Sequence, residues 1–490
     1  MRTLFVIAFT FLLSLSNSKA EERKPNIVYI MTDDQRWDTF GCYGRPEFQT
    51  TNIDKLAKEG VIFDNVYYAV GICAPSRATV MTGRYFASHR SGFTYPFDRY
   101  INKEDFDNTY PAILKNAGYR TGFIGKFGIY TDGREVKPEN YFDFYAVNKR
   151  FIPKDDTVLT HIFRAERDPK ERTLKKGDAM IHFLDQQSKD KPFCLSVSFD
   201  AVKNDKDADM YGPHTAIFEN ETMSVPENWV EGFNEQMPEV VQKYARGYRL
   251  HKAYTSTPAL YQKVARRFAT QGYTVDQQVA RLMKKLKEMK VLDNTIIIYT
   301  SDNGRFHGSH GLFDKALLYD DAMKAPFIIY DGRLPKRKRG YRESALISFT
   351  DIAPTIISMA KLDIPKSMQG RDITNILNKT QDPSTWRDYV FMENLFIEEM
   401  FTARLKRLKN LEEVNAEMIK GNRSYRSRGV RNTQYKYFVY YEQNPAIEEL
   451  YDIKKDPNEM NNLAHNPSYQ QVLVQLREKT EELYQKHKHK

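Results

Sequence analysis

The sequence predicts an α/β protein with a large, mainly parallel β-sheet sandwiched by helices, followed by a smaller C-terminal α+β subdomain that contains a short antiparallel sheet. Three observations lead to this prediction. Strand-like segments in the first 380 residues are continuously apolar rather than alternating, which is typical of parallel strands buried on both faces. Helix-like segments alternate with these strands along the chain. After about residue 384 the strand-like segments become short and aromatic, which indicates a different kind of sheet.

The elements of the larger domain, predicted for residues 21–383, follow from apolar runs and helical periodicity. The predicted strands are 26–31, 61–63, 121–124, 193–199, 295–300 and 326–330. The predicted helices are 51–59, 110–117, 172–187, 274–290 and 352–361. In the subdomain, predicted for residues 384–490, we expect strands at 389–391, 435–441 and 448–451 and a final helix at 468–486.

The N-terminus has the pattern of a signal peptide, predicted for residues 1–20. Arg2 precedes a short apolar core, and small residues lie near Ala20. The alternative is an uncleaved anchor. Cleavage would remove Arg2 and Lys19 and lower the formal charge from +10 to +8. We therefore expect an exported protein, periplasmic or secreted, without stable membrane insertion.

Composition excludes several classes of protein. Hydrophobic residues make up 41% and aromatic residues 13%, which suffices for a sizeable core and excludes a disordered chain. A mean hydropathy of −0.63 excludes a protein with many membrane spans. The basic balance favours a polyanionic partner. With only three cysteines in an exported chain, at least one is expected to have a role other than a disulfide.

Polar residues follow two predicted strands at the points where the strands end. Asp33 and Asp34 follow the first strand, and Asp302 and Asn303 follow the strand at 295–300. Ligands bind beyond the carboxyl ends of strands in such sheets. Cys73 precedes Pro75, which suits the first turn of a helix. The residues alone leave two interpretations of Cys73. It is either a thiol, or a derivative of a thiol, that faces an anion, or it is a buried structural cysteine.

The segment Cys73-Ala74-Pro75-Ser76-Arg77, with Thr82-Gly83 after it, resembles the signature of formylglycine-dependent (type I) sulfatases of the alkaline-phosphatase-like superfamily. The resemblance extends from Asn26 to about Leu463, over five segments in the expected order. It implies a sulfatase, a hydrolase of sulfuric esters. It also implies that a separate maturation enzyme oxidises Cys73 to formylglycine (3-oxoalanine), so that Cys73 supplies the nucleophile only after conversion.

The same resemblance implies a metal site and three cationic side chains near it. Its metal ligands are Asp33, Asp34, Asp302, Asn303 and the oxygen derived from Cys73. An all-oxygen site suits Ca²⁺, with Mg²⁺ as the alternative. Arg77, Lys126 and Lys315 match the family's catalytic cations, and the two lysines match its sulfate contacts.

Two positions depart from the family pattern. Gly128 stands where many members have a histidine, and Lys203 lies near a second such position, where it is expected to contact the sulfate instead. The leaving-group acid must therefore come from elsewhere. We expect His310, in the same segment as Lys315, to be this catalytic acid; His214 and His307 are the alternatives.

Two basic stretches, 335–342 and 403–431, point to an extended anionic substrate if they flank the cleft, although each is equally compatible with a solvated surface. The expected substrate is a sulfated carbohydrate, either a glycosaminoglycan or an algal polysaccharide fragment. Two rivals remain: a phosphoester or phosphonate hydrolase on the same scaffold, and a non-catalytic polyanion-binding relic. No segment resembles a nucleic-acid-binding module.

Overall fold

The computed structural model describes residues 23–92, 100–164, 171–188, 190–203 and 213–488. The predicted signal peptide at residues 1–20 lies outside these ranges. Within them, no helix is both long enough and apolar enough to cross a lipid bilayer.

The larger sheet has eight strands in the spatial order β4-β3-β5-β1-β6-β7-β2-β8. All of its recorded pairings are parallel except those of β7, which runs antiparallel to both β6 and β2. The predicted mainly parallel sheet is thus confirmed. Its strands are β1 (Asn26–Thr32), β2 (Val61–Tyr67), β3 (Arg120–Gly125), β4 (Phe144–Ala146), β5 (Phe193–Ser198), β6 (Thr295–Ser301), β7 (Phe327–Asp331) and β8 (Tyr341–Ser348).

Helices cover both faces of this sheet. Along β1, Ile27, Tyr29 and Met31 join one hydrophobic cluster, whereas Val28 and Ile30 join the other. This alternation explains the continuously apolar strands, because each face needs its own apolar residues. The helices up to residue 377 are α1 (Thr51–Glu59), α2 (Cys73–Thr82), α3 (Phe86–His89), α4 (Lys103–Asp107), α5 (Tyr110–Asn116), α6 (Thr157–Arg164), α7 (Arg172–Asp185), α8 (Thr215–Phe218), α9 (Glu239–Tyr244), α10 (Arg246–Tyr254), α11 (Pro258–Glu288), α12 (Asp320–Met323), α13 (Ile352–Met359) and α14 (Thr374–Leu377).

The smaller sheet is antiparallel throughout, in the order β12-β11-β10-β9. Leu473 and Leu476 of the last helix pack against Val430, Tyr437 and Leu450 of this sheet. The division into domains 21–383 and 384–490 stays a prediction. The elements here are β9 (Val390–Asn394), α15 (Glu398–Lys406), α16 (Leu411–Lys420), β10 (Ser427–Arg431), β11 (Tyr435–Tyr440), β12 (Ile447–Asp452) and α17 (Gln470–His487).

Four strands end beside one another at one edge of the larger sheet. Thr32, the last residue of β1, pairs with Ser301 at the end of β6. Gly125 at the end of β3 pairs with Ser198 at the end of β5, and β5 in turn pairs with β1. The loops that follow β1, β3, β5 and β6 therefore start at the same edge, which is where the sequence predicts the site.

Candidate active site

Cys73 is the first residue of α2, and the rest of this helix is buried. Pro75 lies in its first turn, where a missing N–H costs nothing. Gly83 ends the helix in a left-handed conformation, with φ of 63°, and its N–H donates to the Thr79 carbonyl. The predicted first turn of a helix at Pro75 is confirmed. All three cysteines of the chain are described and none is in a disulfide.

The predicted carboxylates converge on Cys73. The backbone N–H of Asp34 donates to Asp302 Oδ1 at 3.1 Å, and Asn303 Nδ2 donates to Asp34 Oδ1 at 2.8 Å. One ligand atom each from Asp33, Asp34, Asp302 and Cys73 all lie within 4.8 Å of one another. The three carboxylates are fully buried, so without cations nearby they would be costly to ionise.

The two predicted lysines supply part of this positive charge. Lys126 forms an ion pair with Asp33, and Lys315 forms one with Asp34. Lys315 Nζ also lies 3.0 Å from Asn303 Oδ1 and 2.8 Å from Cys73 Sγ. The side chains of Lys126 and Lys315 are 23% and 13% exposed, whereas those of Asp33 and Asp34 are at most 1% exposed. The lysines thus border the solvent side of the cluster, where a substrate would arrive.

Arg77 connects the cluster to the strand ends. Its Nε and Nη2 donate to Asp302 Oδ2 at 2.9 and 2.7 Å. Its Nη1 donates to the Lys126 carbonyl at 2.7 Å and to Ser198 Oγ at 2.6 Å. Four charge-assisted hydrogen bonds hold this guanidinium in one position, and through it the loops after β3, β5 and β6.

A fourth cation, Arg305, was not predicted from the sequence. It is buried, forms an ion pair with Asp34, and packs its guanidinium 4.8 Å from the ring centre of Phe313. Arg305 follows Ser301-Asp302-Asn303-Gly304 at the end of β6. Because ligands bind beyond the carboxyl ends of strands in such sheets, its position in the sequence could have identified it. Four cationic side chains thus face three buried carboxylates.

The donor set fits a divalent cation. Carboxylate and amide oxygens from Asp33, Asp34, Asp302 and Asn303 are the ligand types that hard cations prefer. The ammonium group of Lys315 already lies between Asp34, Asn303 and Cys73, which shows that this space stabilises a positive charge.

Burial and neighbouring charges shift the pKa values in the cluster. Burial and the charge of Asp302 raise the pKa of Asp33 to about 6, against the lowering effect of Lys126. Burial, Asp302 and Asp33 raise the pKa of the Cys73 thiol to about 12. Because the thiolate is the reactive form, an unmodified Cys73 is a poor nucleophile near neutral pH.

Asp34 shows the opposite shift. Burial raises its pKa, but Lys315, Arg305 and Lys203 outweigh burial and hold the pKa well below its usual range. Lys203 is half-buried, and its charge contributes to this lowering of the Asp34 pKa; its role as a sulfate contact stays a prediction. The loop after β5 reaches the cluster because Asp33 and Val202 are joined by a backbone hydrogen bond of 2.9 Å.

The structure does not bring His310 into this cluster. Its side chain is 0% exposed, lies 3.3 Å from Asp321 and packs against the ring of Tyr319. No described contact joins it to Cys73, Lys126 or Lys315. A φ of 55° at His310, between two glycines with positive φ, turns the loop so that His310 points away while Lys315 reaches the cluster. The expected role of leaving-group acid therefore finds no support in this position.

No contact in the described part of the chain joins either alternative histidine to Cys73. His307 is buried, and its ring centre lies 3.6 Å from that of Phe268. Burial and Arg305 hold its pKa well below the usual range, so it is neutral at physiological pH. His214 is half-buried and hydrogen-bonds through Nδ1 to Thr274 Oγ1 at 3.1 Å.

The two basic stretches differ in their position. Residues 335–342 precede and begin β8, so they lie at the opposite edge of the sheet from Cys73. This stretch does not flank the cleft, and of the two interpretations the solvated surface holds for it. The stretch 403–431 is partly internal, because Arg426, Arg428 and Arg431 form ion pairs with Glu442, Glu481 and Asp320.

Comparison with known proteins agrees with this geometry. A sequence model of the sulfatase family matches residues 25–362, and a model described as "N-sulphoglucosamine sulphohydrolase, C-terminal" matches residues 416–486. An N-acetylglucosamine-6-O-sulfatase of Bacteroides thetaiotaomicron is 30% identical over 98% of this chain and 90% of the relative. The N-sulphoglucosamine sulphohydrolase of Homo sapiens is 24% identical over 95% of this chain and 91% of the relative.

Two solved structures share the fold. One, a complex of a protein with its substrate D-glucosamine-2-N,6-O-disulfate, has a TM-score of 0.72 and 25% identity, and covers 95% of this chain and 99% of that one. The other is the phosphonate monoester hydrolase of Agrobacterium radiobacter, with a TM-score of 0.68 and 21% identity over 94% and 96% of the two chains. The second likeness concerns the fold alone. Because the family model covers more than half of the chain and a relative matches nearly its whole length, this chain belongs to the sulfatase family of sulfuric ester hydrolases.

Proposed function

We propose that this chain removes sulfate esters from a sulfated carbohydrate, with Cys73 converted to formylglycine as the reactive residue. The observation that carries the proposal is Cys73 at the start of α2, within reach of three buried carboxylates and touched by Lys315. The relatives support the substrate class, since their names include an N-acetylglucosamine-6-O-sulfatase and ulvan-active sulfatases.

The proposed roles follow from the contacts. Lys126 and Lys315 border the solvent side of Cys73, so they are positioned to bind the sulfate oxygens and to offset the charge that develops as the ester bond breaks. Lys203 is a third contact for the sulfate. Arg77 keeps Asp302 and the Lys126 backbone in place, and Arg305 does the same for Asp34.

Asp33, Asp34, Asp302 and Asn303, with the oxygen derived from Cys73, would hold a divalent cation, which we propose is Ca²⁺, or alternatively Mg²⁺. When bound, the cation supplies Lewis-acid polarisation and further positive charge at the reacting centre. Formylglycine supplies an oxygen nucleophile, which the unmodified thiol of Cys73 does not. A separate maturation enzyme must make this modification, and the predicted signal peptide would export the chain to the periplasm or the exterior.

The first test is the mass of the tryptic peptide Glu59–Arg77 from protein made in its native host. An aldehyde or its hydrate at Cys73 is expected. An unmodified thiol, in a host that carries the maturation enzyme, would contradict the mechanism.

The second test measures sulfate release from 4-nitrophenyl sulfate and from sulfated glucosamine and ulvan oligosaccharides. We expect release by the wild type, loss in Cys73→Ala, and retention in the matched control Cys42→Ala, which removes a thiol outside the cluster. Parallel assays with 4-nitrophenyl phosphate and a phosphonate monoester separate the rival hydrolases. Salt-sensitive glycan binding without any release would favour the non-catalytic relic.

A further inference from the structure

A basic pocket opens beside the proposed active site, at the ends of β3 and β5. It has a volume of about 500 Å³ and is lined by the loop Gly125–Gly128, by the ends of α6 and α7, and by Asp200. This volume lies in the range of roughly 300–1,000 Å³ that is usual for small-ligand pockets.

The pocket carries excess positive charge. Five basic side chains line it, with Asp200 as the carboxylate among the lining residues. Lys176 forms an ion pair with Asp200, and Lys126 forms one with Asp33. The other three, at the pocket's exposed side, have no ion pair with any carboxylate in the described ranges; they are Lys149, Arg164 and Arg172. Basic side chains that have no carboxylate partner among the described residues attract anions.

Lys126 belongs to both the pocket and the active site. It lines the pocket while its Nζ pairs with Asp33 beside Cys73. Only the backbone of Gly128 lies between the pocket and the active site, because glycine has no side chain. A Cβ at this position would lie 3.0 Å from Arg77 Cδ and 3.6 Å from Lys126 Cε. A sugar whose sulfate ester reaches Lys126 can therefore extend an adjoining group into the pocket.

We propose that this pocket is an anion subsite that binds a second acidic group, a sulfate or a carboxylate, of the sugar being desulfated. The inference rests on the proposed function and narrows its substrate to carbohydrates with at least two acidic groups. Arg164 and Arg172 offer the planar donor pairs that match sulfate and carboxylate oxygens. Phe127 and Phe163, both largely buried, also line the pocket.

The test variant is Lys149→Ala/Arg172→Ala. Its matched control is Arg134→Ala/Lys154→Ala, which removes the same charge from exposed positions that do not line the pocket. Hydrolysis of 4-nitrophenyl sulfate, which has no second acidic group, reports on the catalytic centre. Its kcat/KM should stay within about twofold of wild type in both variants.

The probes are two pairs of inhibitors of this hydrolysis. Glucosamine 6-sulfate and glucosamine 2-N,6-O-disulfate differ by one sulfate. N-acetylgalactosamine 6-sulfate and the chondroitin 6-sulfate disaccharide differ by a uronate with its carboxylate. For at least one pair, we expect the doubly acidic probe to inhibit wild type about tenfold more strongly, a difference of about 1.4 kcal/mol. The ratio should approach one in the test variant and stay unchanged in the control.

The preferred pair identifies whether sulfate or carboxylate is the second group. A wild-type ratio near one for both pairs, or a ratio that survives in the test variant, would overturn the subsite. If wild type releases sulfate neither from 4-nitrophenyl sulfate nor from the sulfated glucosamine and ulvan oligosaccharides, the proposed function has failed. Calorimetric titration of the same probes then decides the subsite alone, by the same ratio of dissociation constants.

Discussion

Gly128 tests whether the site has adapted to the loss of the family histidine. The perturbation is Gly128→His, which introduces the residue that the resemblance to the sulfatase signature leads us to expect at this position. Gly128 has φ of 64°, in the left-handed region, and a Cβ there would lie 3.0 Å from Arg77 Cδ. We therefore expect the histidine to lower activity rather than raise it.

The expected magnitude has two parts. A side chain in a left-handed conformation costs about 1–2 kcal/mol of unfolding free energy. Gly118 measures this part alone, because its φ is 88° and no heavy atom lies within 4 Å of the position of its Cβ. The second part is displacement of Arg77, since carbon atoms normally pack at about 3.5–4.0 Å. A shift that approaches 1 Å in a positioning group costs on the order of 10²-fold in rate.

The assay compares Gly118→Ala, Gly128→Ala and Gly128→His by urea unfolding and by kcat/KM on 4-nitrophenyl sulfate. Gly118→Ala should lose about 1–2 kcal/mol with normal activity. Gly128→Ala should lose more stability, and Gly128→His should also lose roughly 10- to 100-fold in kcat/KM. Equal stability of the two alanine variants, or a Gly128→His enzyme more active than wild type, would refute the reasoning.

Three further predictions concern other parts of the molecule. His310→Asn should destabilise the protein by about 1–3 kcal/mol, because it disturbs the buried contact with Asp321. The pH profile of kcat should stay unchanged. Loss of the basic limb of that profile would instead identify His310 as the leaving-group acid. Burial raises the pKa of Glu393 to about 7, so the folded protein binds this proton more tightly than the unfolded chain, and stability falls as pH rises from about 4.5 through 7. Glu393→Gln can still accept a hydrogen bond from the Ala87 N–H. It should remove on the order of 3 kcal/mol of the difference in unfolding free energy between pH 5 and pH 8, as measured by urea unfolding. An equal pH dependence of the unfolding free energy in variant and wild type would contradict this prediction. EDTA should abolish sulfate release, and Ca²⁺ or Mg²⁺ should restore it. A cation at about 100 times its Kd should add about 2.7 kcal/mol to the unfolding free energy of wild type. An unchanged melting temperature, or an equal rise in the melting temperature of Asp302→Asn, would argue against the metal site.

Local patterns in the sequence predicted most of the fold. Continuously apolar runs located β1, β5, β6 and β7 to within one or two residues. The short strands β4 and β10 were missed, because three to five residues carry little periodicity. Strand β8 was missed because its first half, beside the basic stretch, is polar and partly exposed. Helix α11 is longer than predicted. Its first half, residues 258–273, was missed although Tyr261, Val264, Ala265, Phe268 and Ala269 recur there at helical spacing.

For the site, the sequence by itself determined which residues stand at the ends of strands and at the start of α2. Such positions depend on local chemistry: an apolar run that stops, a proline that begins a helix, a glycine that ends one. The grouping of Cys73, Asp33, Asp34, Asp302, Lys126 and Lys315 was accessible only because a resemblance to a known family carried the long-range information.

Tertiary structure alone decided how the charges are balanced and where the site is open. Arg305 pairs with Asp34 because β1 and β6 are neighbours, although the two residues are 271 positions apart. His310 points away from Cys73 because of the backbone conformation of its loop, and residues 335–342 lie at the far edge because β8 runs parallel to β2. Burial and distance between remote segments set the pKa values and shape the basic pocket, and no local pattern of residue types encodes either quantity.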